Sequence, residues 1–172
     1  LAGNKEILLH KQFEIDDSLM LSGDDFRLKQ VIINLITNAI KFTPQKGVVH
    51  VRARFDKIND HRGTLKISVT DSGVGIADKN LKLIFEDVTQ IESADERNRQ
   101  QGTCLGLPIC KRIVDLFSGA ISVQSEPGKG SVFKIEIPLA MAVEKTMATE
   151  DSGLTGIGQL LKDKKVLMVD DI

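Results

Sequence analysis

The stretch from Leu28 to Ile40 constrains this chain more than any other. Its apolar residues fall at Leu28, Val31, Ile32, Leu35, Ile36, Ala39 and Ile40. That i, i+3, i+4, i+7 spacing draws one continuous apolar stripe along a helix. Upstream, "SGDDFRLKQ" offers helix-start residues, with Asp24 or Asp25 near the N-cap. Downstream, Pro44 and Gly47 end the helix. A helix that is apolar on one side needs a second layer to cover it. The following residues supply one: 48–55 (VVHVRARF) and 64–71 (TLKISVTD) alternate apolar and polar side chains, as half-buried strands do, with NDHRG (59–63) as the turn between them.

The same reading extends along the chain. Residues 7–15 form a first strand, and 78–86 a short helix with Leu81 and Phe85 inward. Residues 90–103 carry almost no apolar side chains and read as a mobile loop. A further helix spans about 107–117, with Ile109, Ile113 and Phe117 on one side and Gly119 at C′. AISVQSE and SVFKIEIPL form a last hairpin around the Pro-Gly-Lys-Gly turn at 127–130. The expected fold is α/β, a two-layer sandwich with a mixed sheet of about five strands covered on one face by three helices. Strand order does not follow from periodicity.

Composition narrows the function. The 172 residues, 41% of them hydrophobic, suffice for one domain of about 100–150 residues plus a tail. A net charge of −1 leaves no electrostatic footprint for nucleic acid. No apolar run approaches the ~18 residues of a membrane span, and the first residues do not show the charged-then-apolar pattern of a signal. Cys104 and Cys110 fit neither a disulfide framework nor a zinc spacing, so a reducing, cytoplasmic setting is expected. His10, His50 and His61 stand apart in the sequence and read as ordinary surface or strand histidines rather than metal ligands. Leu1 and Ile172 both fall mid-phrase, as expected of a piece of a longer chain, whose membrane anchoring stays open.

Three segments carry chemistry. On the first helix Asn34 and Asn38 are i, i+4 neighbours beside the apolar stripe, with Arg27 and Lys41 on the same edge. Such an edge is either a solvated helix face or the wall of a cleft, where an amide oxygen suits Mg²⁺. Asp71-Ser72-Gly73-Val74-Gly75 follows a strand directly, so Asp71 is either a plain turn residue or an acceptor for an exocyclic amine beside a backbone that a flat ring can approach. Gly102, Leu105 and Gly106 precede a helix with Pro108 in its first turn. Glycine-rich backbone at a helix start presents N–H groups to phosphate. No Walker A spacing and no G-x-G-x-x-G occur.

Four segments in order resemble the N, G1, F and G2 boxes of the catalytic ATP-binding domain of sensor histidine kinases. They are RLKQVIINLITNAIKFT (27–43), DSGVGI (71–76), IFEDVTQ (84–90) and GTCLGLPICKRIV (102–114). The resemblance covers roughly residues 5–140 and implies the Bergerat-type ATP-binding fold shared with gyrase and MutL-type ATPases. It implies Asn38 as the Mg²⁺ ligand, Asn34 beside the phosphates as a catalytic residue, and Lys41 steadying phosphate charge. It implies Asp71 as the base-reading residue, and Gly73, Gly75, Ile76, Phe85, Gly102, Thr103, Leu105, Gly106 and Leu107 around ATP. Three positions depart from the family pattern: Cys104 replaces a glycine, Asp87 a proline and Val88 an aromatic residue. A glycine at 104 would permit φ > 0, which Cys rarely adopts.

The implied reaction is transfer of the γ-phosphate to a histidine. Gyrase and MutL-type relatives carry a glutamate at the position of Asn34 as general base for water, and an amide cannot take a proton, so hydrolysis is disfavoured. The acceptor histidine is expected on a dimerisation hairpin before residue 1, in a parent that is a homodimer. The alternative is a degenerate nucleotide-sensing or scaffolding module. Domain limits follow: 1–140 the ATP-binding domain, 141–163 a linker, and 164–172 the first strand of a receiver domain. KKVLMVDDI, ending in Asp170 and Asp171 before Ile172, resembles such a strand.

Overall fold

A computed structural model describes residues 5–86 and 106–142. Two long helices and a short one lie against one face of a mixed sheet. The order is β1 (Leu8–Glu14), β2 (Leu21–Ser22), α1 (Asp25–Phe42), β3 (Val48–Asn59) and β4 (Arg62–Asp71). Then come α2 (Asp78–Leu81), a 3₁₀ turn at Leu83–Phe85, α3 (Gly106–Leu116), β5 (Ala120–Glu126) and β6 (Gly130–Met141). The apolar stripe does what its spacing requires: Leu28, Val31, Ile32, Leu35 and Ala39 are buried on α1. They meet the odd-numbered residues of the central strands, Val49, Val51 and Ala53 on β3 and Leu65, Ile67 and Val69 on β4, because alternate side chains of a strand share a face.

Among the described residues the sheet has six strands, one more than the rough five expected. Its path is β1-β3-β4-β6-β2, with β5 also paired to β6. The additional strand, β2, contributes only Leu21 and Ser22, opposite Met141 and Ala140. Two residues carry no alternation, so this strand is invisible in the sequence. β1 runs parallel to β3 and every other pairing is antiparallel, which makes the sheet mixed. β6 continues to Met141, just beyond the expected end of the domain.

Other expectations need correction. β3 and β4 reach Asn59 and Arg62, so the turn between them is tighter than NDHRG. The Asn59 side chain closes it by accepting from the His61 and Arg62 N–H groups at 3.0 and 3.1 Å. The single helix expected at 78–86 is a four-residue helix followed by a 3₁₀ turn. Leu81 and Phe85 are only half-buried there, and of the two it is Phe85 that packs against the core. Ile109 is exposed, and α3 instead buries Pro108, Cys110, Ile113 and Val114. Gly119 is not the left-handed residue after α3; Ser118 is, at φ 55°. Ser118 N–H bonds to Asp115 O at 2.8 Å and Gly119 N–H to Val114 O at 2.9 Å, the two bonds of a Schellman cap. Gly119 is glycine for space, since a Cβ there would lie 2.5 Å from the Glu136 carbonyl oxygen. His10 and His50, distant in sequence, are paired across β1 and β3, with rings stacked at 4.6 Å. Among the described residues no cluster of three or more His, Cys, Asp or Glu could hold a metal. No helix among them is long and apolar enough to cross a membrane.

Candidate functional site

α1 is fixed at both ends. Asp24 is the N-cap, its carboxylate accepting from Arg27 N–H at 3.0 Å. At the other end the buried Thr43 hydroxyl donates to Ala39 O at 2.6 Å. The Lys5 ammonium donates to the carbonyls of Lys41 at 2.7 Å and Thr43 at 3.2 Å. A cation there satisfies carbonyls that have no partner within the helix. These anchors set the azimuth of the polar edge. Asn34 and Asn38 are both half-buried beside the core stripe. Lys41 is exposed, its ammonium 5.5 Å from the centroid of the Phe42 ring.

α3 runs antiparallel to α1 along this edge. Gly106 lies beside Asn34, where a Cβ would come 3.5 Å from Oδ1. Cys110 Sγ sits 3.9 Å from Val31 O, and Phe117 lies near Gly23 at the other end of α1. Burial pushes the Cys110 thiol up to about 11, opposed by its hydrogen bond with Asn34. This thiol therefore stays protonated and packs as a small apolar group.

The Asp71 segment closes the other side. Ser72 prolongs the strand pairing, donating its N–H to Val48 O at 3.0 Å and accepting from Val48 N–H at 2.9 Å. The chain then turns sharply. Gly73 N–H donates to Asp71 Oδ1 at 2.8 Å, and a Cβ on Gly73 would lie 2.6 Å from that oxygen and from Phe42 O. Val74 N–H reaches Phe42 O at 3.3 Å, which ties the turn to the end of α1. Gly75 has φ +69°, and a Cβ there would lie 2.1 Å from Glu126 O. No other residue fits either position without moving the backbone. Ile76, Phe85 and Leu107 are half-buried against the core.

Asp71 is the buried carboxylate at the base of this arrangement. Burial raises its pKa, opposed by hydrogen bonds from Gly73 N–H and from the N–H and hydroxyl of Ser131. A hollow of about 350 Å³ reaches it, lined by Thr70, Asp71, Ser125, Gly130 and Ser131 among others. A second hollow, of about 420 Å³, lies at the opposite end of the sheet around Asp16, Lys57 and His61. We assign the site by the buried Asp71 acceptor and the glycines packed around it with no room for a side chain, Gly73, Gly75 and Gly130; of these only Asp71 and Gly130 line either hollow.

The structure thus gathers Asn34, Asn38, Lys41, Asp71, Gly73, Gly75, Ile76 and Gly106 around the C-terminal half of α1 and the end of β4. Gly102, Thr103, Cys104 and Leu105, the loop 90–103, Asp87, Val88, and residues 143–172 with the linker and receiver strand lie outside the described residues. Sequence reasoning overlooked Ser131, Ser125 and the main chain of Phe42. It also took Gly130 as a plain turn residue, whereas a Cβ there would lie 1.9 Å from Asp71 O. The signal for Ser131 was its register opposite Asp71, unreadable before the strand order is known.

A buried acceptor beside a flat glycine turn can receive a donor group of a planar ligand. An amide-lined helix edge meeting the start of a second helix can take oxygen-rich or charged groups. Similarities to known proteins agree with this chemistry. Escherichia coli K12 sensor histidine kinase RcsC is 44% identical over 140 residues, covering 81% of this chain and 14% of that protein. The autoinducer 2 sensor kinase/phosphatase LuxQ of Vibrio vulnificus CMCP6 is 39% identical over 170 residues, covering 95% of this chain and 19% of its own. The chain therefore spans less than a fifth of the length of these relatives. Among solved structures, full-length ShkA in complex with AMPPNP superposes at TM-score 0.62 with 32% identity, over 82% of this chain and 27% of that one. The nucleotide-free catalytic domain of histidine kinase ThkA gives 0.57 and 31%, over 76% of this chain and 78% of that one. With residues 23–141 matching the family as a whole, the chain belongs to the histidine kinase-, DNA gyrase B- and HSP90-like ATPases.

Proposed function

We propose that this chain binds Mg-ATP and donates the γ-phosphate to a histidine on a dimerisation hairpin, as the catalytic part of a two-component sensor kinase. The observation that carries the reading is the buried Asp71 carboxylate, held by Gly73 and Ser131 at the end of β4. It accepts the exocyclic amine of adenine, while Gly73 and Gly75 let the ring approach the main chain. Asn34, half-buried against α3, cannot deprotonate water. That favours holding the phosphate for an imidazole nucleophile over hydrolysis. Phosphoryl transfer asks mainly for positioning and charge neutralisation, which Asn34 and Lys41 supply.

The donor set fits a magnesium ion. The Asn38 amide is half-buried on the cleft edge and makes no side-chain hydrogen bond among the described residues. Its oxygen is free for a hard cation that prefers oxygen, so Asn38 would hold the metal. The ion, when bound, neutralises phosphate charge. Residues 164–172 would open a receiver domain, with a response regulator as partner, in a cytoplasmic part of a homodimeric parent.

Titration with ATP and GTP, with and without Mg²⁺, tests binding. Asn38→Ala is expected to weaken Mg-ATP binding and leave metal-free nucleotide binding nearly unchanged. Equal losses would remove Asn38 as a ligand. Incubated alone with labelled ATP the chain is expected to stay unlabelled; with a histidine-bearing hairpin added, acid-labile and base-stable label is expected on the hairpin. ATP binding with no transfer to any hairpin supplied would favour the nucleotide-sensing alternative.

A further inference from the structure

The helices cover one face of the sheet, and no described element covers the other. On β3, β4 and β6 the even-numbered residues from 48 to 54, 64 to 70 and 132 to 138 stay half-buried or exposed between buried odd-numbered neighbours. Register sets the side chains of this open face in rows that cross the strands. One row runs His10, His50, Thr70, Val132, Gln124 from β1 to β5, and the next Gln12, Arg52, Ser68, Lys134, Ser122. The third runs Glu14, Arg54, Lys66, Glu136, Ala120.

Charge is divided unevenly between these rows. The third neutralises itself: Arg54 and Lys66 both meet Asp56, at 3.3 and 2.9 Å, and Lys66 lies 4.0 Å from Glu136. The first two rows hold no carboxylate. Their Arg52 and Lys134 are exposed and make no ion pair among the described residues. These two stand two strand spacings apart, about 10 Å, with Ser68 between them and Ser122 beyond Lys134. The stacked rings of His10 and His50 lie in the adjoining row. The face is also concave there, since Thr70, Val132 and Gln124 line the hollow of about 350 Å³. One half of the face pairs opposite charges across strands, and the other leaves its cations alone. That second half is complementary to an anion from outside the chain.

We infer that the first two rows are a docking surface for an acidic protein partner, one that presents carboxylates about 10 Å apart to Arg52 and Lys134. A guanidinium takes a carboxylate through two parallel N–H···O bonds, and the Ser68 and Ser122 hydroxyls supply further donors. A single phosphate suits the spacing less well, because Ser68 holds the two cations apart. Nucleic acid needs a longer track of cations to keep its backbone bound against salt. Anionic lipid asks for a cluster of basic side chains or for apolar ones to insert, and Val132 is the one apolar side chain of the two rows. The surface faces away from α1 and α3, so a partner docked on it leaves the amide edge of α1 open. The inference rests on the register and charge of the sheet and stands apart from the reading of Asp71.

The experiment is a titration of the isotope-labelled 172-residue chain with hexaglutamate at low salt, read by amide chemical shifts. Shifts are expected at Arg52, Ser68, Thr70 and Lys134, fading in high salt. Arg52→Gln combined with Lys134→Gln is expected to weaken binding about 3- to 30-fold, the worth of two exposed ion pairs. Arg52→Lys combined with Lys134→Arg keeps both charges and is expected to hold most of the affinity, which separates lost charge from a damaged fold. Lys29→Gln combined with Lys111→Gln makes the same change in net charge on the helical face and is expected to leave binding nearly unchanged. Equal losses in the two glutamine pairs would show attraction to net charge alone and overturn the inference. No shift, or shifts confined to the helical face, would overturn it too. Inorganic phosphate or phosphatidylserine vesicles giving the same shifts at a lower concentration of negative charge would make this a phosphate or lipid surface and sink the protein partner. The same shifts on concentrating the chain alone would make the occupant a second copy, which overturns it as well.

Discussion

The centre of the sheet and its Asp71 end are built on different rules. In the centre, Val49, Leu65, Val69, Ile135 and Ile137 have no exposed surface at all. Each could be exchanged for another apolar residue of similar volume at modest cost. At the Asp71 end the fit is made by absent atoms. Gly73, Gly75 and Gly130 each bring main chain to within 2.6 Å or less of where a Cβ would stand, and the gap is crossed by hydrogen bonds from Gly73, Ile76 and Ser125. Burial stabilises the first region. The second gives up some of that stability by keeping a carboxylate out of water, and gains a surface that recognises a ligand. Substitutions should therefore divide cleanly: core changes cost stability, site changes cost affinity.

The largest effect is expected from truncating the core. Leu65→Ala should destabilise the domain by about 3–4 kcal/mol, since it removes a fully buried side chain and leaves a cavity. Equilibrium denaturation measures it. ATP affinity of the fraction that stays folded should change less than about twofold, because Leu65 lies six residues back along β4 from Asp71. A matching loss of affinity would mean that the two regions are one mechanical unit, and the division would fail.

Asp71→Asn is the converse. ATP binding should weaken by about 1.5–3 kcal/mol, roughly 10- to 150-fold, with the loss of one charge-assisted hydrogen bond. Stability should not fall. The folded-state pKa of Asp71 is raised by burial, so its contribution to stability is fully present below the unfolded value of 3.8 and is lost as pH rises through the folded pKa. At neutral pH the ionised group is therefore a net cost that Asn does not carry. The difference in unfolding free energy, variant minus wild type, should be positive at pH 7 and shrink as pH falls towards 3.8. Other carboxylates titrate alike in both proteins and cancel in that difference. A variant less stable at pH 7 would show the carboxylate to be structural.

The same division explains what could be read in advance. α1 and the central strands were legible because burial imposes periods of 3.6 and 2 on the residues, and those periods survive in a linear string. Asp71, Asn34 and Asn38 were legible as types at spacings. Ser131 and Ser125 were not, because their roles depend on which strand lies beside β4, and a serine in a strand carries no mark of that. Ile109 misled for a related reason. It shares a helical row with Ile113, which is buried, and Phe117, which packs against the core, but the buried face of α3 is centred on Cys110, Ile113 and Val114, and only the position of α1 decides that Ile109 falls outside it. Ser118 took the left-handed position expected of Gly119 because the glycine was needed one residue later, against Glu136 O.

The smallest effect expected is also the one that tests whether the two regions communicate. Lys5 reaches across to the last turn of α1 and bonds the carbonyls of Lys41 and Thr43. Between those two residues, Phe42 O holds Val74 N–H at 3.3 Å. Lys5 therefore sits one peptide from the bond that ties the glycine turn to the helix. As a solvated cation at a helix C-terminus it is worth about 0.5 kcal/mol, and Lys5→Met should lower stability by about that much, less in high salt. Methionine keeps the length of the stem and removes the charge. If the carbonyls of α1 merely lose a partner and turn to water, ATP affinity stays the same and the regions are independent. If the last turn of α1 frays, Phe42 O shifts, the Gly73–Gly75 turn loosens, and affinity falls by more than the twofold that 0.5 kcal/mol converts to. We expect the first outcome. Thr43 is fully buried and bonds Ala39 O through both its N–H and its hydroxyl, so the end of α1 has a second anchor that does not depend on Lys5.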